Sequence, residues 1–263
     1  MKSLFILLFI FVGAIAQAKV VLVSDIDDTL KIANVQDLDS AAVYAFDDQS
    51  RFLGMSELLT LLKSDHPDMS IYYLSKAPQW LMGSTHLSFL HNGGFPAGLY
   101  IPRTDLSAET HKLIHLRAIL EAERPDTVIL IGDNGEQDSA NYEQIKSEYP
   151  NIRFYQYIHL IYASHGREEV GSVPFMDQVG YATAAELSLD LARAELLSQA
   201  STAWMMTNIA SAIVKQPLDL KTGEVAFPRY MRCNELVWRW DDLDAFPNFY
   251  ELKEKVIRRC QKK

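Results

Sequence analysis

Two aspartates two residues apart, Asp25 and Asp27, follow a short valine-rich apolar run at residues 20–23. A run of this kind predicts a buried parallel strand, and open α/β sheets bind their ligands at the carboxyl ends of their strands. Carboxylates in such a place are costly unless a metal or substrate compensates their charge. The pattern therefore favours a Mg²⁺-dependent phosphoryl-transfer site with an aspartate as the nucleophile.

Further polar residues stand at or near the ends of later predicted strands. They are, in chain order, Ser75, Lys76, Lys112, Asp133 and Asp138. Because all strands of a parallel sheet point the same way, these positions converge on one edge. An acidic pair alone is common in solvated loops. Acids that converge with a serine and a lysine indicate a single catalytic site.

The elements that must position these residues alternate between strand and helix. Apolar runs predict strands over 70–75, 99–101, 127–131 and 152–157, and helical spacing predicts helices over 37–46, 55–63, 79–91, 107–123 and 137–148. Such repeated units predict an α/β fold, a parallel sheet with helices on both faces. The gaps 31–69 and 76–111 hold only short predicted elements.

The pattern changes at about Val170, where alanine-, leucine- and serine-rich helical segments begin. We predict one long helix or two over 183–216 and a terminal helix over 249–260. Because no Pro/Gly/Ser-rich linker intervenes, residues 170–263 are predicted to be a helical extension packed on the 19–169 domain. The aromatic pair in this extension, Trp238 and Trp240, favours a core position over a membrane-interface one.

The first 18 residues match a secretory signal peptide. Lys2 is followed by an apolar stretch and then by an Ala-Gln-Ala cleavage pattern, so cleavage is expected before Lys19. The alternative is an uncleaved anchor, for which the apolar run is short. The prediction is an exported protein, periplasmic or secreted. The chain's net charge of −9, or −10 without Lys2, argues against nucleic acid as a partner.

The two cysteines, Cys233 and Cys260, lack the spacing of a metal site. In an exported protein they either form a disulfide or stay as two independent thiols. The sequence leaves the oligomeric state open.

Several histidines could suggest a metal cluster: His86, His91, His111 and His115. Because they are spread over two predicted helices, we expect them on the surface. A position at the substrate entrance is a further interpretation for His86.

The motifs SDIDDTLK, YYLSKAPQWL, GSTHL and ILIGDNGEQDSANY resemble the haloacid dehalogenase-like (HAD) phosphohydrolases. Within them, they are similar to the catalytic domain of the App1-like phosphatidate phosphatases over about residues 20–165. The resemblance implies a Rossmann-like HAD fold. Members carry a cap in the gaps 31–69 or 76–111, and because both gaps are too short here for a full cap domain, we expect a minimal cap and an open site. The resemblance further implies a Mg²⁺-dependent phosphomonoesterase acting on phosphatidate or a related lipid phosphate, through an aspartyl-phosphate. A broad-specificity secreted acid phosphatase and a catalytically idle binding module of this fold are the alternatives.

The resemblance also implies a role for each acid. Asp25 would attack phosphorus, because the acyl phosphate it forms is itself labile to water. Asp27 would protonate the leaving alkoxide and then activate water. The Mg²⁺ would be held by Asp25, Asp133 and the backbone carbonyl of Asp27, with Asp138 binding it directly or through a metal-bound ligand.

The remaining roles concern the phosphoryl group. Ser75, Thr29 and the backbone N–H groups after Asp25 would hold its oxygens, and Lys112 would neutralise its developing charge. Lys76 is a rival for the role of Lys112 and a further phosphate-binding candidate.

Overall fold

The computed structural model describes residues 18–104, 107, 109–165, 170–218 and 220–261. The predicted signal peptide lies outside these residues except for Ala18, so it stays a prediction. Among the described helices, none combines the length and the apolar character needed to cross a bilayer.

The described strands form a six-stranded sheet and a small two-stranded one. They are β1 (Val20–Ser24), β2 (Arg51–Phe52), β3 (Ser70–Pro78), β4 (Leu99–Arg103), β5 (Thr127–Asp133), β6 (Arg153–His159), β7 (Val179–Tyr181) and β8 (Glu224–Val225). The large sheet has the order β4-β3-β1-β5-β6-β7 and is parallel throughout. β2 and β8 pair in parallel to form the second sheet. The predicted parallel α/β architecture is confirmed.

Helices cover both faces of the large sheet. They are α1 (Leu38–Tyr44), α2 (Met55–Asp65), α3 (Gln79–Asn92), α4 (His111–Glu123), α5 (Asp138–Glu148), α6 (Ala184–Arg193), α7 (Gln199–Trp204), α8 (Ser211–Lys215) and α9 (Phe249–Cys260). β1 shows why both faces are needed: Val20 and Leu22 enter one apolar core, and Val21 and Val23 enter the other. Alternate strand residues point to opposite faces, so an all-apolar strand requires cover on both.

The segment between β1 and β3 confirms the expected minimal cap. Its elements are α1, the two-residue β2 and α2, and α1 has only seven residues. α2 packs Leu58, Leu59 and Leu62 into the apolar core.

The region predicted over 183–216 is interrupted rather than continuous. α6 ends at Arg193, and Glu195 has φ 58°, a left-handed conformation that cannot continue a helix. Ser198 then caps α7 by accepting from the Ser201 N–H at 3.1 Å. α7 runs into a π-helical stretch, Met205–Ala210, before α8. No pattern in the sequence predicted β7, which lies beyond residue 169 and forms the sixth strand of the large sheet.

The C-terminal region is fixed by a disulfide and by a buried tryptophan. Cys233 and Cys260 are bonded, which decides between the two alternatives for these cysteines. Trp240 is fully buried and donates to Asp190 Oδ1 at 3.0 Å, and the half-buried Trp238 packs edge-on against it. The predicted core position therefore holds for Trp240. The boundary at residue 169 stays a prediction.

Candidate active site

The register of three strands brings the predicted residues to one edge. Ser24, the last residue of β1, pairs with Tyr73 of β3 and Ile131 of β5. The next N–H, that of Asp25, donates to the Ile131 carbonyl at 2.8 Å, so the nucleophile candidate is held by the sheet ladder. Asp25 therefore leaves the sheet beside the segments that carry Ser75 and Asp133.

A tight turn follows Asp25 and carries the phosphate-binding candidate Thr29. The N–H groups of Thr29, Leu30 and Lys31 all approach the Ile26 carbonyl, at 3.4, 2.9 and 2.8 Å. Thr29 is buried, and its Oγ1 has no hydrogen-bond partner among the described residues. A buried unpaired hydroxyl is costly unless a ligand completes it. The role of Thr29 in binding the phosphoryl group stays a prediction.

The third acid of the motif, Asp28, has a structural role. Its φ of 58° lies in the left-handed region, which aspartate tolerates better than most residues. Its buried carboxylate accepts from the N–H groups of residues 33–35 at 2.9–3.1 Å and from the hydroxyls of Tyr162 and Tyr230 at 2.5 Å. Asp28 thus ties the turn after Asp25 to the following loop and to the C-terminal region.

The acids of the second motif meet Asp25 at the end of β5. One carboxylate oxygen from each of Asp25, Asp133 and Asp138 lies within 4.8 Å of the others, and all three residues are buried. Asp138 opens α5, where a carboxylate is stabilised by the helix dipole. Gly132 permits this approach, because a Cβ there would lie 2.4 Å from Asp138 Oδ2.

Lys112 lies inside this acid cluster. It occupies the first turn of α4, which begins at His111 rather than at the predicted residue 107. Its ammonium is 2.7 Å from Asp25 Oδ1, 2.5 Å from Asp138 Oδ1 and 3.5 Å from Glu136 Oε2. Lys112 is therefore a buried cation that touches the nucleophile candidate.

The cluster holds more negative than positive charge. Burial raises the pKa of Asp25, Lys112 opposes that rise, and Asp138 and Glu136 add to it. Burial and the neighbouring Asp138 and Asp25 likewise raise the pKa of Asp133 well above its usual value. Burial raises the pKa of Glu136 too, against the pull of Lys112. Lys112 alone leaves the carboxylates incompletely compensated.

These residues fit a hard divalent cation. Asp25 Oδ2 and Asp133 Oδ2 are buried and lack any partner among the described residues. The donor set contains only carboxylate oxygens, with no sulfur or imidazole, which suits Mg²⁺ better than a softer metal. A cation bound here would lower the raised pKa values of these acids and would be coordinated by both unpaired oxygens.

Asp27, the second acid of the first motif, contacts a histidine. The Nε2 atom of His86 lies 3.2 Å from Asp27 Oδ1 and 3.1 Å from Oδ2, and the Asp27 side chain keeps 15% of its surface exposed. Burial works to raise the pKa of Asp27, but the charge and hydrogen bond of His86 outweigh it and lower the pKa. The expected surface position of His86 was wrong, since its side chain is fully buried. His111 is buried as well, whereas His91 is exposed.

The two remaining candidates of β3 take different positions. Ser75 is buried, and its Oγ accepts from the Ala77 N–H at 3.0 Å, which leaves its own proton to donate. Lys76 is half-buried, with its Nζ 3.9 Å from Glu136 Oε1. Of the two rival lysines, Lys112 contacts Asp25, and Lys76 lies further out beside Glu136.

Sequence reasoning missed Glu136 and the contact between His86 and Asp27. Glu136 lies between Asp133 and Asp138 in sequence, so its membership of the acid cluster could have been predicted from that short loop. His86 shares a helix face with Met82 and Phe89, both buried. That spacing could have predicted its burial, but not its partner, which lies 59 residues away in sequence.

Acids after β1, a serine in β3, a lysine opening α4 and acids after β5 define a HAD-like phosphatase, a hydrolase of phosphoric monoesters. The alternative of a catalytically idle module does not fit this complete set. The chain belongs to the family described as "Phosphatidate phosphatase APP1, catalytic domain", whose sequence profile matches residues 20–159. The expected HAD-like App1 catalytic domain is thus confirmed.

A comparison with solved structures found one similar chain. A class C acid phosphatase from Bacillus anthracis, solved with tungstate bound, is similar with a TM-score of 0.37 and 15% sequence identity, over 70% of this chain and 81% of its own. A comparison with curated protein sequences found no match. The family assignment therefore rests on the sequence profile.

Proposed function

We propose that this phosphatase is a Mg²⁺-dependent phosphomonoesterase that acts through an aspartyl-phosphate on Asp25, with a lipid phosphate of the phosphatidate kind as its substrate. The observation that carries this proposal is the position of Asp25. Its Oδ1 accepts from Lys112, and its Oδ2 is buried among further carboxylates without a partner.

In the first half-reaction Asp25 attacks phosphorus. A carboxylate oxygen forms a bond to phosphorus, and the bond from phosphorus to the leaving alkoxide breaks. The Asp27 carboxyl gives its proton to that alkoxide. Ser75 and Thr29 donate to the phosphoryl oxygens, and Lys112 balances the charge that develops on them.

In the second half-reaction water releases the phosphate. Asp27, now a carboxylate, takes a proton from water, and the resulting hydroxide attacks the phosphoryl group. The bond between phosphorus and the Asp25 oxygen breaks, so inorganic phosphate leaves and the carboxylate is restored. The lowered pKa of Asp27 beside His86 favours the carboxylate that this step requires and opposes the protonated form that the first half-reaction requires.

Asp25, Asp133, Asp138 and the Asp27 backbone carbonyl are the groups that would hold Mg²⁺. When bound, the cation shields the negative charges of Asp25 and the phosphate from each other. Without the cation, the four clustered carboxylates would repel a phosphate dianion, and Lys112 offsets only part of that repulsion. These carboxylates are Asp25, Asp133, Glu136 and Asp138.

Three features support a lipid substrate. The family description names phosphatidate phosphatase. The minimal cap leaves room for a bulky leaving group at the sheet edge. Beside that edge, Trp80 and Leu81 open α3 with exposed side chains, and Trp80 has 84% of its surface accessible. Exposed aromatic and aliphatic side chains beside a site suit contact with a lipid surface.

A substrate panel tests the lipid proposal. We expect a higher kcat/KM on phosphatidate in vesicles than on soluble sugar phosphates and nucleotides. We also expect Trp80→Ser to lower turnover of vesicles while leaving 4-nitrophenyl phosphate unaffected, with His91→Ser on the same helix as the matched control. A strong preference for the soluble esters would favour the broad-specificity acid phosphatase instead.

We further propose that the protein is exported and cleaved before Lys19. The disulfide supports this, because disulfides persist in oxidising compartments. The Lys19 backbone N lies 2.8 Å from Asp126 Oδ2, so cleavage would create an ammonium group already placed against a carboxylate. Sequencing the amino terminus of the mature protein tests this, and a terminus other than Lys19 would contradict it.

A further inference from the structure

A buried histidine holds the side chain that the proposed mechanism uses as its acid. His86 lies on the buried face of α3, where its neighbours at helical spacing are apolar. Its Nε2 lies 3.2 and 3.1 Å from the two carboxylate oxygens of Asp27, and its Nδ1 lies 3.0 Å from the hydroxyl of Tyr100. Tyr100 meets the His86 ring edge-on at 5.7 Å.

Hydrogen-bonding capacity fixes the direction of these contacts. The proton that Asp27 gives to the leaving group cannot also lie in its contact with His86, so Nε2 of His86 carries the hydrogen that faces Asp27. In a neutral ring Nδ1 then accepts, and the Tyr100 hydroxyl donates to it. Burial and the nearby Asp27 charge raise the pKa of Tyr100, which keeps that hydroxyl protonated. A chain of hydrogen bonds therefore runs from the Tyr100 hydroxyl through the His86 ring to the Asp27 carboxyl.

We propose that His86 is a positioning residue for Asp27, that Tyr100 fixes its tautomer, and that together they aim the Asp27 carboxyl at the leaving-group oxygen. The proposal rests on the acid–base role of Asp27 in the proposed function. One N–H shared between both carboxylate oxygens restrains the rotation of that carboxyl. A general acid must lie within hydrogen-bond reach of its target, and a misplacement of about 1 Å can cost about 100-fold in rate.

The test compares esters of similar shape that differ in their need for an acid. 4-Nitrophenyl phosphate releases a stable phenolate without help, whereas 4-methylphenyl phosphate needs its leaving group protonated. We expect His86→Leu to lower kcat/KM about 50-fold for the methylphenyl ester and less than about 5-fold for the nitrophenyl ester, because general acids contribute about 10²–10⁴-fold. His86→Gln, which retains a donor, should recover part of the loss.

Two controls separate positioning from stability. Phe89→Leu makes a cavity in the same helix without removing a contact to Asp27, so it should change both esters by the same factor. Tyr100→Phe should give a smaller loss of the same kind as His86→Leu, and no additional loss in the His86→Leu background. Equal losses for both esters in His86→Leu, or no loss for either, would overturn the proposal.

A second readout does not depend on turnover. At a pH where the His86 ring is neutral, its ¹⁵N chemical shifts should show a protonated Nε2 and an unprotonated Nδ1, and Tyr100→Phe should disturb this state. The opposite tautomer would overturn the proposal. Turnover by the wild type reports on the proposed function, whereas the ratio between the two esters and the tautomer report on His86.

Discussion

The ammonium of Lys112 donates a 2.7 Å hydrogen bond to Oδ1 of Asp25, and both side chains are almost completely buried. The two residues are 87 positions apart and lie on different elements, a strand end and the first turn of a helix. A buried cation in contact with a buried acid controls both its charge and its direction. This contact links the proposed nucleophile to the rest of the site.

Replacing Lys112 should remove activity and weaken the fold. In Lys112→Met we expect kcat/KM to fall about 10²–10³-fold, as when one charge-stabilising donor is removed. The metal-free protein should lose about 3–5 kcal/mol of unfolding free energy, because buried carboxylates lose their partner. Lys76→Met, at the rim, is the control and should have a smaller effect on both. A larger effect from Lys76→Met would show that Lys76, rather than Lys112, neutralises the charge on the phosphoryl group.

Mg²⁺ should stabilise the folded protein through the acid cluster. At about a hundredfold excess over its Kd, a ligand adds about 2.7 kcal/mol, which raises Tm by about 5–10 °C in a domain of this size. Asp133→Asn should abolish this rise. Without metal, however, the variant should be at least as stable as the wild type, because one of several repelling carboxylates is gone. Calorimetry with and without Mg²⁺ checks this, and an equal rise in both proteins would contradict it.

The disulfide should contribute measurable stability. Cys233 and Cys260 are 27 residues apart, and closing a loop of that size removes unfolded-state entropy worth about 3.5 kcal/mol. The double variant Cys233→Ala/Cys260→Ala should therefore unfold at a lower urea concentration, and its free energy of unfolding should be lower by about 3.5 kcal/mol. Reducing agent should produce the same loss in the wild type and no change in the variant. A variant as stable as the oxidised wild type would refute this.

Glu186 should make stability fall as pH rises. Burial raises its pKa from 4.5 to about 7, although Thr183 and the backbone N–H groups of residues 182–183 oppose that rise. Below pH 4.5 both the folded and unfolded states hold the proton, and between pH 4.5 and 7 only the folded state does. The folded state therefore loses about 3 kcal/mol over this interval.

Glu186→Gln isolates this effect, because glutamine keeps an acceptor for the backbone N–H groups and does not titrate. The stability of the variant relative to the wild type should rise by that amount between pH 4.5 and 7. Urea unfolding across this range measures it. A constant difference would mean that the Glu186 pKa is not raised.

Local patterns predicted most of the sheet and its catalytic edge. The apolar runs identified β1, β3, β5 and β6, and the parallel arrangement then implied that Asp25, Ser75 and Asp133 converge. Helical spacing similarly located α3, α5 and α9 to within a residue or two. These predictions succeeded because each depends on residues close together in sequence.

What the sequence missed depends on distant contacts. β7 has only three residues and is defined by its pairing with β6, so no local sequence pattern predicts it. The burial of His86 follows from partners in β4 and in the turn after β1. Tyr230, more than 200 positions from Asp28, hydrogen-bonds its carboxylate. Such contacts appear only once the chain is folded.

Asp25 is proposed to carry the phosphoryl group during turnover. The most direct measurement is acid quenching of the protein during turnover of 4-nitrophenyl phosphate with Mg²⁺, followed by mass spectrometry to locate the phosphoryl group. We expect a single acid-stable acyl phosphate on Asp25, and no label and no turnover in Asp25→Asn. A label on another residue, or turnover that survives in Asp25→Asn, would contradict it.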